Sequence, residues 1–235
     1  MSYNRVLLKL SGEQLAGEFE GGIDPKVAGW LADEIKQAVA AGCQVVVMIG
    51  GGNFVRGAQI AGHGIKRVTA DHMGMLGTMI NALAMTDIFE AHHVPTRCLS
   101  NIFAEQVAEP FVHRLANKHL EKGRVVIAAG GIGRPYLTTD TAAVSLALEL
   151  DCDAVLKATK VSGVYDKDPV KHADASKLGQ LTYRQAVGDN AIKIMDKAAL
   201  GLAMEHSMII IVFNALKSGN IEKTINGGEI GTKIS

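Results

Sequence analysis

Gln44-Val45-Val46-Val47-Met48-Ile49 carries no charge over six residues and runs directly into Gly50-Gly51-Gly52-Asn53. A continuous apolar run of this length, closed by glycines, is the pattern of a strand covered on both faces, as in a parallel sheet with helices above and below. The preceding segment fits that reading. Asp24 can cap a helix, Pro25 stands at its first position, and Gly42 closes it after Ala41. Between them Val27, Trp30, Leu31, Ile35, Ala38 and Val39 recur at helical spacing, a stripe made to lie against a sheet.

Outward from this unit the same alternation repeats. Arg5–Leu10 reads as a first strand. A long Met- and Ala-rich helix is expected from Thr69 to Ala91, a short strand at Thr96–Leu99, a helix from Pro110 to Glu121 and a buried strand at Val125–Ala129. Helix Thr141–Leu150, strand Ala154–Ala158, helix Met195–His206, strand Ile209–Phe213, helix Ser218–Asn226 and a short strand Gly231–Ile234 follow. Alternating strands and helices predict an α/β three-layer sandwich, with a mainly parallel central sheet and helices on both faces. No low-complexity linker divides the 235 residues, so one domain over 1–235 is expected.

Composition narrows the function classes. Lys plus Arg (24) equals Asp plus Glu (24), so no global field favours nucleic acid or an anionic membrane, and any anion must be bound locally. With 48% hydrophobic but only 5% aromatic residues, the core must be built from aliphatic side chains and Met. Cys43, Cys98 and Cys152 lie in or beside expected strands, as buried reduced thiols would, and none has a C-x-x-C partner. The eight histidines form no metal-ligand spacing. No charged-plus-apolar leader precedes the first strand and no apolar run approaches the roughly 20 residues of a membrane helix, so a cytoplasmic protein is expected.

Three junctions carry the chemistry. Leu8-Lys9-Leu10-Ser11-Gly12 leaves the first strand with a lysine beside a glycine. Gly50-Gly51-Gly52 leaves the second strand. Gly130-Gly131-Ile132-Gly133-Arg134-Pro135-Tyr136-Leu137-Thr138-Thr139-Asp140 leaves the apolar run Val125–Ala129 and enters a helix. Without a Cβ, a glycine lets its N–H approach an anion. In parallel α/β sheets ligands bind beyond the carboxyl ends of the strands, where all three loops fall. The chain contains no G-x-x-x-x-G-K-[ST], which excludes a P-loop.

Phosphoryl transfer needs positive charge around the moving group, and Lys9 and Arg56 are the natural suppliers. Arg56 follows the glycine triplet, where a helix N-terminus would add free N–H groups. Asp140 can cap the helix it opens, or orient the lysine and help to organise the reacting phosphate. Asp71, near the start of the long helix, can cap it or accept from a ligand hydroxyl. Thr159, Tyr165 and Asp168 lie on a strand exit with a rigid turn, where a base can stack on Tyr165.

These residues resemble the bacterial UMP kinases of the amino-acid-kinase superfamily over essentially the full length. The resemblance rests on Lys9-Leu10-Ser11-Gly12-Glu13, Ile49-Gly50-Gly51-Gly52-Asn53 with Arg56-Gly57, Asp71-His72-Met73-Gly74-Met75-Leu76, Thr138-Thr139-Asp140, and Lys157-Ala158-Thr159-Lys160 with Gly163-Val164-Tyr165 and Asp168-Pro169. It implies Lys9, Arg56 and Asp140 as catalytic residues. It implies ATP contacts at Lys9, Leu10, Ser11, Gly12, Gly52, Arg56, Thr159, Tyr165 and Asp168. For UMP it implies Gly51, Asp71, Ile132, Gly133, Arg134, Pro135, Tyr136, Leu137, Thr138 and Thr139.

The resemblance further implies Mg2+ carried with ATP, a homohexamer, GTP as activator and UTP as inhibitor, and a GTP-response segment at Gly17, Glu18, Phe19, Glu20, Gly21 and Gly22. Two departures stand out. Ile132 and Arg134 occupy positions where the family commonly has Thr and Asn, and the 17–22 segment carries two acidic residues. The alternatives are a small-acid kinase of the same fold, acting on acetylglutamate or carbamate, and a non-catalytic nucleotide- or oxyanion-binding store.

Overall fold

The computed structural model describes residues 3–19, 21–56, 60, 64–169, 171–172, 174–188 and 194–235. Of the residues singled out above, Glu20 and Gly57 lie outside the described residues.

The apolar runs form the expected strands: β1 (Arg5–Leu10), β2 (Gln44–Ile49), β3 (Thr96–Ser100), β5 (Val125–Ala129), β6 (Ala154–Thr159) and β10 (Ile209–Asn214). Shorter pieces add β4 (Glu109–Pro110), β7 (Val164–Tyr165), β8 (Lys177–Leu178), β9 (Gln180–Leu181) and β11 (Thr232–Ile234). Nine of these strands make one sheet in the order β4-β3-β5-β2-β1-β6-β10-β11-β9, while β7 and β8 pair apart. Within the large sheet every pairing is parallel except β10 with β11.

The helices are α1 (Gly12–Leu15), α2 (Pro25–Ala40), α3 (Arg67–Ala91), α4 (His113–Glu121), α5 (Thr139–Glu149), α6 (Tyr183–Gly188), α7 (Lys197–Glu205) and α8 (Asn220–Ile225). Alternation along each strand sorts them into two layers. Leu8, Val47, Ile127, Leu156 and Phe213 point to one face and pack with α2, α3 and α8 through Leu31, Met85 and Ile221. Leu7, Val46, Val126, Val155 and Ile210 point to the other and pack with α4, α5 and α7 through Leu120, Leu146 and Leu200. Each fully buried Leu or Ile here contributes about 1.5–3 kcal/mol of transfer free energy. The three-layer α/β reading therefore holds.

Element ends differ where local chemistry overrides the pattern. Pro110 is not helical: Glu109–Pro110 pairs with Leu99–Ser100 at the sheet edge, and the Phe111 N–H donates to the Ser100 carbonyl at 2.9 Å, which delays α4 to His113. α3 begins two residues early, at Arg67, so Asp71 stands in its second turn and does not cap it. α5 is capped by Thr138, whose hydroxyl accepts from the Asp140 N–H at 3.0 Å, which removes the capping role considered for Asp140. Asp24 does cap α2, accepting from the Lys26 N–H at 2.9 Å. All three cysteines are buried and free, with thiols pushed up by burial to about 12 (Cys43), 11 (Cys98) and 12 (Cys152).

Candidate active site

Strand register brings two lysines together. Lys9 of β1 and Lys157 of β6 are direct partners in the parallel ladder, and both side chains point to the α5 face. There α5 presents Asp140 from its first turn. Lys157 Nζ donates to Asp140 Oδ2 at 2.6 Å, and Lys9 Nζ stands 2.8 Å from Oδ1 as an ion pair outside hydrogen-bond angles. The three side chains are only 11–14% exposed. Burial by itself would raise the Asp140 carboxyl, but the two ammonium charges outweigh it and hold the group below the ordinary carboxylate value. Burial lowers Lys157, with Lys9 adding to the effect and Asp140 opposing it. Two cations against one anion leave this buried cluster net positive, beside loops whose N–H groups also favour an anion.

The glycine loops are held by close contacts that only glycine permits. A Cβ on Gly12 would lie 2.3 Å from both the Gly50 carbonyl oxygen and Asn53 Oδ1. One on Gly51 would lie 2.4 Å from the Gly74 carbonyl oxygen and 3.0 Å from the Thr78 nitrogen, on α3. After the second loop 51–54 form turns and Ile60 is helical, its N–H donating to the Arg56 carbonyl at 3.3 Å, while the Arg56 guanidinium pairs with Glu13 of α1 at 2.7 Å. Both partners are about half exposed, so this contact orients more than it stabilises.

A cavity of about 220 Å³ opens beside Gly51, lined on one wall by Arg67, Asp71 and Met75 and on the other by Ile132, Leu137, Thr138 and Thr139. The two walls are tied together. Asp71 takes the Arg67 guanidinium through both carboxylate oxygens (2.8 and 2.9 Å) and accepts from the Tyr136 N–H at 2.8 Å, while Arg67 lies 5.5 Å from the Tyr136 ring centroid. Lower down, Thr78 accepts from the Gly130 N–H at 2.8 Å. The loop is further fixed by Asn101, which donates to the Gly131 carbonyl at 2.6 Å.

A second cavity, of about 290 Å³, lies past the end of β6, lined by Thr159, Gly163, Val164, Tyr165, Asp168 and Val212 among others. Thr232 of β11 props its floor, accepting from the Val164 N–H at 2.8 Å and donating to the Leu178 carbonyl.

Most of the expected residues thus converge at the carboxyl ends of β1, β2, β5 and β6. Lys9, Asp140 and the residues around Gly51 do so directly, and Thr159, Tyr165 and Asp168 line one cavity together. Gly133, Arg134, Pro135 and Tyr136 do not line the first cavity, and the Arg134 side chain is exposed. Two residues were missed. Lys157 is separated from Lys9 by 148 positions, and only strand register reveals the pair. Asp196 caps α7, accepting from the Ala199 N–H at 2.9 Å, and also takes the hydroxyls of Thr138 (2.5 Å) and Thr141 (2.9 and 3.0 Å). An Asp three residues before Ala199 at the head of an apolar helix is a signal that could have found the cap, but not the threonines.

Comparison with known proteins agrees with this geometry. The family model for the amino acid kinase family matches residues 4–214. A uridylate kinase from Dichelobacter nodosus is 48% identical over 232 residues, covering 99% of this chain and 96% of that one. One from Xanthomonas oryzae pv. oryzae is 48% identical over 234 residues, covering 100% and 97%. The crystal structure of UMP kinase from Bacillus anthracis superposes with a TM-score of 0.95 at 38% identity, covering 100% of this chain and 97% of the other. The chain therefore belongs to the amino acid kinase family, among its uridylate kinases.

Proposed function

We propose that this protein transfers the γ-phosphoryl group of ATP to UMP, giving UDP and ADP. The observation that carries the reading is the Lys9–Asp140–Lys157 cluster. Asp140 adjoins Thr139 in the Gly51 cavity, and Lys157 stands two residues before Thr159 in the other. In the proposed reaction a phosphate oxygen of UMP forms a P–O bond to the γ-phosphorus while the bond to the β–γ bridging oxygen breaks. UMP phosphate is already anionic at neutral pH, so no general base is required, and catalysis rests on positioning and charge. Lys9 and Lys157 meet the equatorial oxygens, and Asp140 keeps the two ammonium groups charged and spaced.

We assign the Gly51 cavity to UMP, with Asp71 facing the ribose hydroxyls and the loop from Ile132 to Thr139 closing over the base. The Tyr165 cavity takes the adenosine of ATP, with Lys9–Gly12, Gly52 and Arg56 toward its phosphates. Mg2+ enters as part of the Mg–ATP substrate. Among the described residues no group of three His, Cys, Asp or Glu side chains could hold a metal, and the Asp140 carboxylate is engaged by two lysines.

The same reading includes a cytoplasmic homohexamer, activated by GTP through the 17–22 segment and inhibited by UTP. Exposed apolar residues on α3, Leu76 and Ile80, give an oligomer a surface to bury. Among the described residues no helix is long and apolar enough to cross a membrane. ADP release with Mg–ATP and UMP, CMP, acetylglutamate or carbamate, each with and without GTP or UTP, tests the proposal. Turnover confined to UMP is the expected result, and turnover with an acid alone would overturn it.

A further inference from the structure

Beneath the second glycine loop lies a closed pair of side-chain amides that the reaction scheme above does not use. Asn53 Nδ2 donates to Asn81 Oδ1 at 2.8 Å, and Asn81 Nδ2 donates to Asn53 Oδ1 at 2.8 Å. The remaining donors are spent on backbone: Asn81 Nδ2 on the Gly50 carbonyl at 2.8 Å, and Asn53 Nδ2 on the Gly22 carbonyl at 2.6 Å. Asn81 is fully buried in the middle of α3, a Met- and Ala-rich helix where an apolar residue would otherwise be expected. A buried, fully satisfied polar pair specifies one arrangement, because any slip leaves a buried amide unpaired.

The arrangement it specifies is a peptide orientation. In a trans peptide the carbonyl and the following N–H point in opposite directions, and the described residues contain no cis bond. With the Gly50 oxygen drawn to Asn81, the Gly51 N–H is turned away from the helix. Gly51 lines the cavity assigned to UMP, and among the described residues no protein group accepts from its N–H. The pair also fixes neighbouring backbone. The Gly22 N–H donates to the Asn53 carbonyl at 3.2 Å, and the first glycine loop packs against Asn53 Oδ1 through Gly12.

We infer that Asn53 and Asn81 are positioning residues for phosphoryl transfer: through the Gly50 peptide they aim the Gly51 N–H at the substrate phosphate, and they hold the two glycine loops in register. The inference rests on the nucleotide reading of the site. Neither residue touches substrate in this scheme; both act through backbone.

The isosteric variant Asn81→Asp tests it, because a carboxylate cannot donate to the Gly50 oxygen whereas a protonated carboxyl can. Burial raises such a carboxyl toward neutrality. No ionisable side chain hydrogen-bonds to either amide among the described residues, and the nearby Glu13 and Arg56 are paired with each other. Steady-state kinetics of the full chain with Mg–ATP and UMP, from pH 5.5 to 8.5, should show kcat/KM for UMP reduced about tenfold or more against wild type at the alkaline end. The ratio to wild type should recover as the pH falls. Should Asn81→Asp be insoluble, Asn53→Ser, at the partly exposed member of the pair, should lose about fivefold or more at every pH, because it removes the reciprocal amide pair that holds Asn81 against the Gly50 carbonyl. A folded Asn81→Asp with wild-type kinetics, a loss whose ratio is the same at all pH, or an indifferent Asn53→Ser would overturn the inference alone. No UMP-dependent ADP release by wild type would overturn the site reading and this inference with it.

Discussion

Lys9 and Lys157 are register partners on adjacent parallel strands, with their ammonium groups held 2.8 and 2.6 Å from opposite oxygens of one carboxylate, Asp140. Without that carboxylate two like charges would share a site closed to water.

Asp140→Asn should therefore cost about 3–5 kcal/mol of stability, the usual consequence of stripping one partner from a buried ion cluster. Turnover should fall with it. The pH dependence has a definite sign. In the variant Lys157 loses the partner that opposes its burial, so its folded value drops further below 10.5. Between folded and unfolded values the unfolded chain holds more protons, and stability rises with pH. Wild type behaves differently at the acid end: Asp140 is held below its ordinary value of 3.8, so its contribution is present above that value and lost as pH falls through the folded one. Thermal melts of both proteins from pH 3 to 10 read this directly.

Asp71→Asn should raise KM for UMP more than about tenfold with little change for ATP, because charge-assisted bonds are worth about 1.5–3 kcal/mol. The same change loosens the Arg67 and Tyr136 contacts that join the cavity walls. Equal losses for both nucleotides, measured by initial rates with each substrate varied, would count against this role.

Gly51→Ala pushes a methyl group to within 2.4 Å of the Gly74 carbonyl oxygen. Backbone cannot yield as a side-chain end can, so α3 must move off the loop. We expect a stability loss of about 1–3 kcal/mol by denaturant titration and a parallel loss of turnover. Gly74→Ala serves as the comparison, because its Cβ meets nothing within 4 Å.

Asp196→Ala removes the α7 cap and frees the Thr138 and Thr141 hydroxyls. The cap alone is worth about 0.5–2 kcal/mol. Kinetics should show the larger effect on KM for UMP, since Thr138 lines that cavity and Thr159, across the cluster, is untouched.

Arg134→Asn should leave KM for UMP within about twofold at both low and high salt, as expected of an exposed side chain. A salt-dependent loss would place the guanidinium over the acceptor phosphate.

The layered sheet could be read in advance because its strands are unbroken apolar runs, such as Val45–Ile49 and Val125–Ala129, whose length leaves no amphipathic alternative. The pieces that escaped are two residues long. β7, β8 and β9 carry no periodicity, and their pairing is decided by Thr232 and its neighbours far along the chain. For the site, glycine loops and Lys9 were legible because backbone approach to an anion restricts residue choice. Lys157 was not, since its role depends on register with β1, and Asn81 was not, since a single amide within a helix reads as an ordinary polar position. Asp140 was legible only as two alternatives, which the Thr138 cap resolves.

Thr232 has one further consequence, and it concerns the order of assembly. Its hydroxyl grips Val164 and Leu178, residues 68 and 54 positions earlier, and β11 must slot between β10 and β9 to bring it there. On a ribosome residues 231–234 emerge after every residue they hold, and such long-range closures are slow to form. The Tyr165 cavity is thus completed late in folding, and a refolding experiment that follows nucleotide capture should lag behind one that follows helix formation.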